Sequence, residues 1–320
     1  MWTGNRFALG VTFSILMFFG LFAASPESGQ KIAGRWDVTI HAPTGSYPSW
    51  FEIRDEGGRL AGRFVGRVGS ARPIQTVEFS SNGLRLSLPV QYEKHKSDMV
   101  FAGRPKGGKL EGTTNGEDGS TLAWNAVRAP VLAAGEPEWG EPIQLFNGRD
   151  LDGWKVRDPK SPNNWKAENG VLANTAGGTD LITKDKFKDF KLHTEFVYPA
   201  RSNSGVYLRG RYEVQIQDDF GKDPGSLLIG GVYGFITPTS NAGRPADEWQ
   251  SYDITLTGRR VTVVLNGATI IDNQEIPGIT GGALDSNEGE PGPIMLQGDH
   301  GKISFRNISL TPVRRFKSGK

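Results

Sequence analysis

Apolar and polar residues alternate with a period of two along most of this chain, and the alternation is cut at short intervals by turn residues. Between 32 and 128 the runs at 36–40, 50–53, 60–65, 83–88, 98–101, 109–112 and 122–127 follow one another at hairpin spacing, with tight turns such as Asp-Glu-Gly-Gly at 55–58 between them. No stretch holds a helical period over three turns. Short strands at regular spacing with glycine-rich turns predict an antiparallel meander closed as a small barrel or folded as a sandwich. A second series follows at 190–197, 205–209, 212–217, 251–256, 261–265 and 302–306, with Asn266-Gly267 as a hairpin signal because both residues tolerate positive φ. About 175 residues of such strands suit a two-sheet jelly roll, one face of a sheet on the core and one open to solvent.

The segment 130–137 is small, proline-punctuated and polar, and reads as a linker. It divides an N-terminal β domain at 31–129 from a larger one at 138–313, with a basic tail at 314–320. The first domain shows no catalytic constellation and reads as an accessory binding or packing module. Its Gly34-Arg35-Trp36 start and Trp124 ending are similar to lipocalin-like barrels. Ahead of both domains, Arg6 precedes an apolar run from Phe7 to Ala24, with small residues at Ala23, Ala24 and Ser25. This pattern over residues 1–28 fits a secretory signal or an uncleaved N-terminal anchor, since about 18 apolar residues are near the minimum for a bilayer span. Either places the rest of the chain outside the cytoplasm: secreted, periplasmic or held at a bacterial envelope.

Composition narrows the picture. With 43 glycines, 19 prolines and 37% hydrophobic residues among 320, the chain is a turn-rich β protein rather than a disordered, collagenous or coiled-coil one. Its 37 basic and 35 acidic residues give a net charge of +2, too even for the concentrated basic footprint of a nucleic-acid binder. The lack of cysteine excludes disulfides, thiolate metal sites and a cysteine nucleophile.

Parity singles out one sheet face. From 206 to 217 the even positions Val206, Leu208, Tyr212, Val214 and Ile216 are apolar, whereas Tyr207, Arg209, Glu213, Gln215 and Gln217 are not. Gly210 can shift the register between the two halves. A wet outer face is the plain reading of such a row. A row of guanidinium, carboxyl, amide and phenol groups also suits hydrogen bonding to the adjacent hydroxyls of a sugar.

The second domain resembles the 3-keto-disaccharide hydrolase family, a bacterial family with a concanavalin-like jelly roll. The resemblance rests on LFNGRDLDGW at 145–154, WKAENGVL at 165–172, DFKLHTEF at 189–196, NSGVYLRG at 203–210 and YEVQIQD at 212–218. It continues through GVYG at 231–234, EWQSY at 248–252, Asn266-Gly267, GPIMLQGDHG at 292–301 and FRNI at 305–308, and leaves the first domain uncovered. It implies an enzyme acting on 3-keto-glycosides. A C3 carbonyl acidifies the C2 proton, so the C1 oxygen can leave by elimination through an enolate, and water then adds to the unsaturated sugar. That route needs a base near C2, an acid at the leaving oxygen and a partner for the enolate, rather than the paired carboxylates of an ordinary glycosidase.

The same resemblance gives His300 as the leading acid/base candidate, because it titrates near neutrality in a glycine-flanked loop; a structural pairing with Asp299 is the alternative. Glu195 and Glu213 are candidate bases or hydroxyl acceptors. Arg209 is a candidate for stabilising the enolate, or else an ion-pair partner of Glu213. Asn203, Tyr207, Gln215, Tyr233 and Gln297 are expected substrate contacts. Asp218 and Asp219, with nearby carbonyls, are weak candidates for a divalent cation such as Ca²⁺. The substrate would come from a separate oxidoreductase acting at sugar C3, since nothing here matches a flavin or nicotinamide site. A non-catalytic carbohydrate-binding protein of the same fold is the rival reading, because fold does not fix function.

Overall fold

The computed structural model describes residue 1, residues 32–132 and residues 135–317. The 7–24 run read as a signal or anchor lies outside the described residues. Among the described residues no helix is long and apolar enough to cross a membrane.

The first nine strands make one antiparallel sheet, whose edge strands Arg72–Pro73 and Thr76–Ser80 are nearly consecutive in sequence. Between them the Ile74 amide donates to the Gly62 carbonyl and the Gln75 amide to the Ser87 carbonyl, both at 2.9 Å. One short segment therefore bonds both edges and closes the meander into a barrel, which removes the exposed edges. Trp36, Phe51, Phe64, Phe101 and Trp124 fill its interior, with the Phe51 and Trp124 rings edge to face at 6.3 Å.

The larger unit is a concanavalin-like jelly-roll sandwich. Nine strands, including Phe190–Val197, Gln250–Thr257, Arg260–Leu265 and the long final strand Ile303–Phe316, form one sheet. Trp154–Val156, Leu181–Thr183, Met295–Leu296, Asn203–Leu208 and Tyr212–Gln217 form the other. Phe190, Leu192 and Phe196 face Val206, Val214 and Ile216 across the core, as alternation predicts. The Tyr252 hydroxyl crosses it to donate to the Gln215 carbonyl at 2.6 Å. Asn266 and Gly267 both take positive φ, 52° and 83°, as their hairpin requires. Arg314 and Arg315, expected in a tail, lie in the final strand instead, where Arg315 meets Glu138 across the Pro137–Trp139 pairing.

The two units share a core. In strand Gly45–Asp55, Phe51 and Ile53 turn into the barrel, whereas Trp50 and its register partner Val65 turn outward and join the apolar cluster of the jelly roll. The Trp50 ring meets Phe235 edge to face at 5.4 Å, and the Arg63 guanidinium lies over both rings. Gly278 packs so tightly on the indole that a Cβ there would sit 2.2 Å from Trp50 Nε1.

A polar knot ties the same junction. Glu288 of the jelly roll accepts hydrogen bonds from Arg259 and from the Tyr212 hydroxyl, both at 2.6 Å. Asp37 of the barrel lies beside Glu288, and burial, reinforced by that neighbour, pushes its carboxyl up to about 9. Asp37 Oδ1 and Glu288 Oε1 are buried with no other partner among the described residues, so a proton carried by Asp37 satisfies both oxygens.

Two predictions follow from this junction. Gly278→Ala destabilises the protein by about 1–3 kcal/mol, as overpacking does, measured by denaturant unfolding. For Asp37 the folded-state carboxyl titrates far above its ordinary value of 3.8, so the folded chain holds a proton that the unfolded chain has released. Stability therefore declines as pH rises through that window towards about 9. Asp37→Asn removes this decline, and its melting temperature falls less than that of the wild type between neutral and alkaline pH.

Candidate active site

The candidate site is built on the hairpin Asn203–Leu208 and Tyr212–Gln217. Antiparallel register sets Asn203 opposite Gln217, Gly205 opposite Gln215 and Tyr207 opposite Glu213, all on the sheet face away from the core. The sequence suggested that this face is open to solvent, but Tyr207, Glu213 and Gln215 are each at most 3% exposed. Segment 230–233 bonds along the Tyr212–Gln217 edge, with the Gln215 amide donating to Gly231 and the Tyr233 amide to Glu213. Loop 278–284 covers Tyr207, and the Gly282 amide donates to the Arg67 carbonyl of the barrel at 3.0 Å.

Glu213 is the central group. Its carboxyl needs the space left by Gly205, where a Cβ would come within 2.4 Å of Oε1. Burial pushes it up to about 8; the Tyr207 hydrogen bond and the charge of His300 oppose the rise, while Asp299 and Asp180 add to it. The Tyr207 hydroxyl lies 2.9 Å from both Glu213 Oε2 and the Gly281 carbonyl. A phenol has one proton to give. With Glu213 neutral at pH 7, the carboxyl proton goes to the phenol oxygen and the phenol proton to Gly281.

His300 faces this group from the loop after strand Met295–Leu296. It is about half exposed, its Nδ1 hydrogen-bonded to Asp299. That bond holds the imidazole above its ordinary value, against the effect of burial, and Glu213 adds to the rise. The Gly298 amide donates to Asp180 at 2.9 Å, and the Asn174 side chain donates to the Gly298 and Gly301 carbonyls. Asp180 in turn pairs with Arg157 at 2.9 Å, and Arg157 also donates to the Gly282 carbonyl. One ion pair thus links the loop carrying His300 to the loop that receives Tyr207.

The expected site residues divide accordingly. Glu213, Tyr207 and His300 come together, and Tyr233, pushed up to about 12 by burial and by Glu213, borders them. Gln297 is anchored by its amide to Gly205; its side-chain Oε1 is buried without a partner among the described residues. Gln215 is buried and its side chain closes on the Ile216 amide, while Asn203 donates to Gln217 at 3.0 Å.

Arg209 and Glu195 lie elsewhere. Arg209 and Gly210 take positive φ of 55° and 66°, so the chain reverses there and the parity slips. The Arg209 guanidinium is buried against Tyr212 and the Gly258 carbonyl, towards Glu288 and not Glu213. Glu195 sits on the outer face of the other sheet, where hydrogen bonds from Asn307 and Arg306 hold it below the usual carboxylate range. Asp218 accepts the Arg201 amide and Asp219 the Ile229 amide, and among the described residues no three acidic or histidine side chains cluster as metal ligands.

Arg157, Asn174 and Asp180 escaped the sequence reading. Each is separated from Glu213 by at least thirty residues of chain and carries no local motif; only strand pairing brings them in.

The fold and this cluster define a jelly-roll domain with a buried carboxyl and a carboxylate-paired imidazole brought together on its smaller sheet. The sequence profile of the 3-keto-alpha-glucoside-1,2-lyase-like domain matches residues 141–311, and the chain belongs to that family over this span. A 3-keto-disaccharide hydrolase from Bacteroides thetaiotaomicron is 31% identical over 109 residues, covering 31% of this chain and 35% of that protein. The match therefore spans about a third of that relative's length. Two solved structures from Parabacteroides distasonis, both provisionally named glycosyl hydrolases, are also similar. One is 31% identical, covering 57% of this chain and 92% of the other at a TM-score of 0.46. The second is 22% identical, covering 54% and 94% at the same TM-score.

The cluster predicts its own titration. The His300 ring titrates above 6.5 in the wild type, followed by proton NMR among only four histidines. Asp299→Asn lowers that midpoint by removing the main cause of the rise.

Proposed function

We propose that this chain cleaves 3-keto-glycosides by elimination at C1 followed by hydration, a net hydrolysis. The observation that carries the reading is a carboxyl group held neutral at pH 7 within electrostatic reach of an imidazole aligned by a carboxylate. Those are the two tools the reaction needs: an acid that keeps its proton at neutral pH, and a base poised to take one.

His300, in its neutral form with Nδ1 bound to Asp299, takes the C2 proton on Nε2. The C2–H electrons form the enolate of the C3 ketone, for which the side-chain NH2 of Gln297 is the hydrogen-bond donor. As the enolate collapses to the C1=C2 double bond, the C1–O bond breaks and Glu213 turns its proton from the Tyr207 phenol oxygen to the leaving oxygen. Glu213, now ionised, accepts a proton from water, whose oxygen adds to C1, and His300 returns its proton to C2. Both residues end as they began. The substrate is a carbohydrate that a separate C3-oxidoreductase has oxidised.

Incubation with a panel of 3-keto-glucosides and their unoxidised counterparts tests the reading. Product is expected from the keto forms alone; cleavage of the unoxidised sugars would make the protein an ordinary glycosidase, and binding without cleavage would make it a lectin. Glu213→Gln and His300→Ala each lower kcat/KM by about 10²–10⁴-fold, the usual scale for general acid or base removal. Activity requires Glu213 protonated and His300 neutral. It therefore falls as pH rises through about 8 and falls again as pH drops below the raised midpoint of His300.

A further inference from the structure

The barrel reaches the candidate site through segments 66–71 and 91–93. The Arg67 carbonyl receives the Gly282 amide. Gly69 lies against Gly281, where a Cβ on Gly281 would meet the Gly69 carbonyl oxygen at 2.1 Å, and a Cβ on Gly234 would lie 2.7 Å from Ser70 and Ala71. Gly281 is the residue whose carbonyl receives the Tyr207 phenol, and the Tyr233 amide next to Gly234 donates to the backbone carbonyl of Glu213. The barrel therefore abuts both loops that border the buried carboxyl.

At this edge stands Tyr92. It is 62% exposed, one of the few large apolar side chains of the described residues left in water. Its ring packs over Gly69, where a Cβ would be 2.8 Å from the ring, and Gly69 in turn lies against Gly281 of the site loop. The turn beneath it is firmly built. A buried ion pair joins Arg72 and Glu93 at 2.7 Å, and Glu93 also accepts the Gln91 and Tyr92 amides. Gln91 is fixed in turn by Arg72 and Ser70. An exposed ring on so rigid a turn has little conformational entropy left to lose on contact, which suits a binding platform.

We propose that the N-terminal barrel supplies one wall of the sugar site, with Tyr92 as the ring on which the leaving-group sugar stacks. The inference rests on the proposed cleavage of 3-keto-glycosides and adds the part of the substrate beyond the scissile bond. A pyranose presents an apolar C–H face ringed by hydroxyls; an aromatic face covers the first, and the phenol can bond to the second. Loss of the C1 oxygen from a site lined by Glu213 leaves the departing sugar on the side where barrel and jelly roll meet. Tyr92 is then a specificity residue, selecting glycosides whose leaving group carries a ring.

The test compares wild type, Tyr92→Ala and Tyr92→Trp on a 3-keto-disaccharide and on methyl 3-keto-glucoside, which lacks the second ring. Tyr92→Ala is expected to lower the ratio of kcat/KM for the disaccharide to that for the methyl glycoside by about five- to tenfold, the loss of one stacked ring, mainly through KM. Tyr92→Trp restores the ratio, and melting temperatures stay level because the ring is exposed. An unchanged ratio, or an equal fall on both substrates, overturns the proposal. Calorimetric binding of the unoxidised disaccharide and monosaccharide to the same proteins separates it from the cleavage reading. Were the wild type to cleave neither keto substrate, that reading would fail. Tyr92 would still be judged by whether Tyr92→Ala abolishes the preference for the disaccharide.

Discussion

Burying a carboxyl beside a phenol, with its charge opposed by two further carboxylates, is the constraint around which this molecule is arranged. In water Glu213 would ionise; desolvation between strand and loops makes the charged form costly and keeps the proton on. The environment that does this has no slack. Gly205 leaves room for the carboxyl, Gly281 brings a carbonyl to the phenol that touches it, and Gly282 lets a loop lie on that phenol. Each position fails for steric reasons once it carries a side chain, so the local glycine content serves the electrostatics of one group.

The loops that exclude water from Glu213 are themselves held from outside the jelly roll. Their backing is the barrel, seated by Trp50 on the shared core and by the contact with Glu288 of Asp37, the cross-strand partner of Trp50. A domain that reads as accessory from its sequence is thus mechanically part of the site. The same logic accounts for Arg209, whose guanidinium belongs to the junction through Tyr212 and Glu288 rather than to the cluster around Glu213.

Much of the fold was legible in the sequence. Alternation located the strands, Asn266-Gly267 fixed a hairpin, and the parity of 206–217 placed Tyr207 and Glu213 on one face. Resemblance to a family supplied His300. What alternation cannot say is which sheet a strand joins, so Glu195 had the right parity in the wrong sheet. Nor can it foresee a chain reversal at two successive residues of positive φ, which turned Arg209 away. Docking between domains is equally silent: Trp50 looks like any strand aromatic until its partner surface is present. Asp180, Asn174 and Arg157 reach the site only through long-range pairing, for which the sequence holds no short motif.

The most direct test of this account is the titration of Glu213 itself, by carbon NMR of protein labelled at the glutamate carboxyls, with Glu213→Gln used to assign the resonance. A midpoint near 8 is expected. A midpoint near the ordinary glutamate value of 4.5 would show a carboxyl ionised at neutral pH, and with it the role of Glu213 as the acid would be lost.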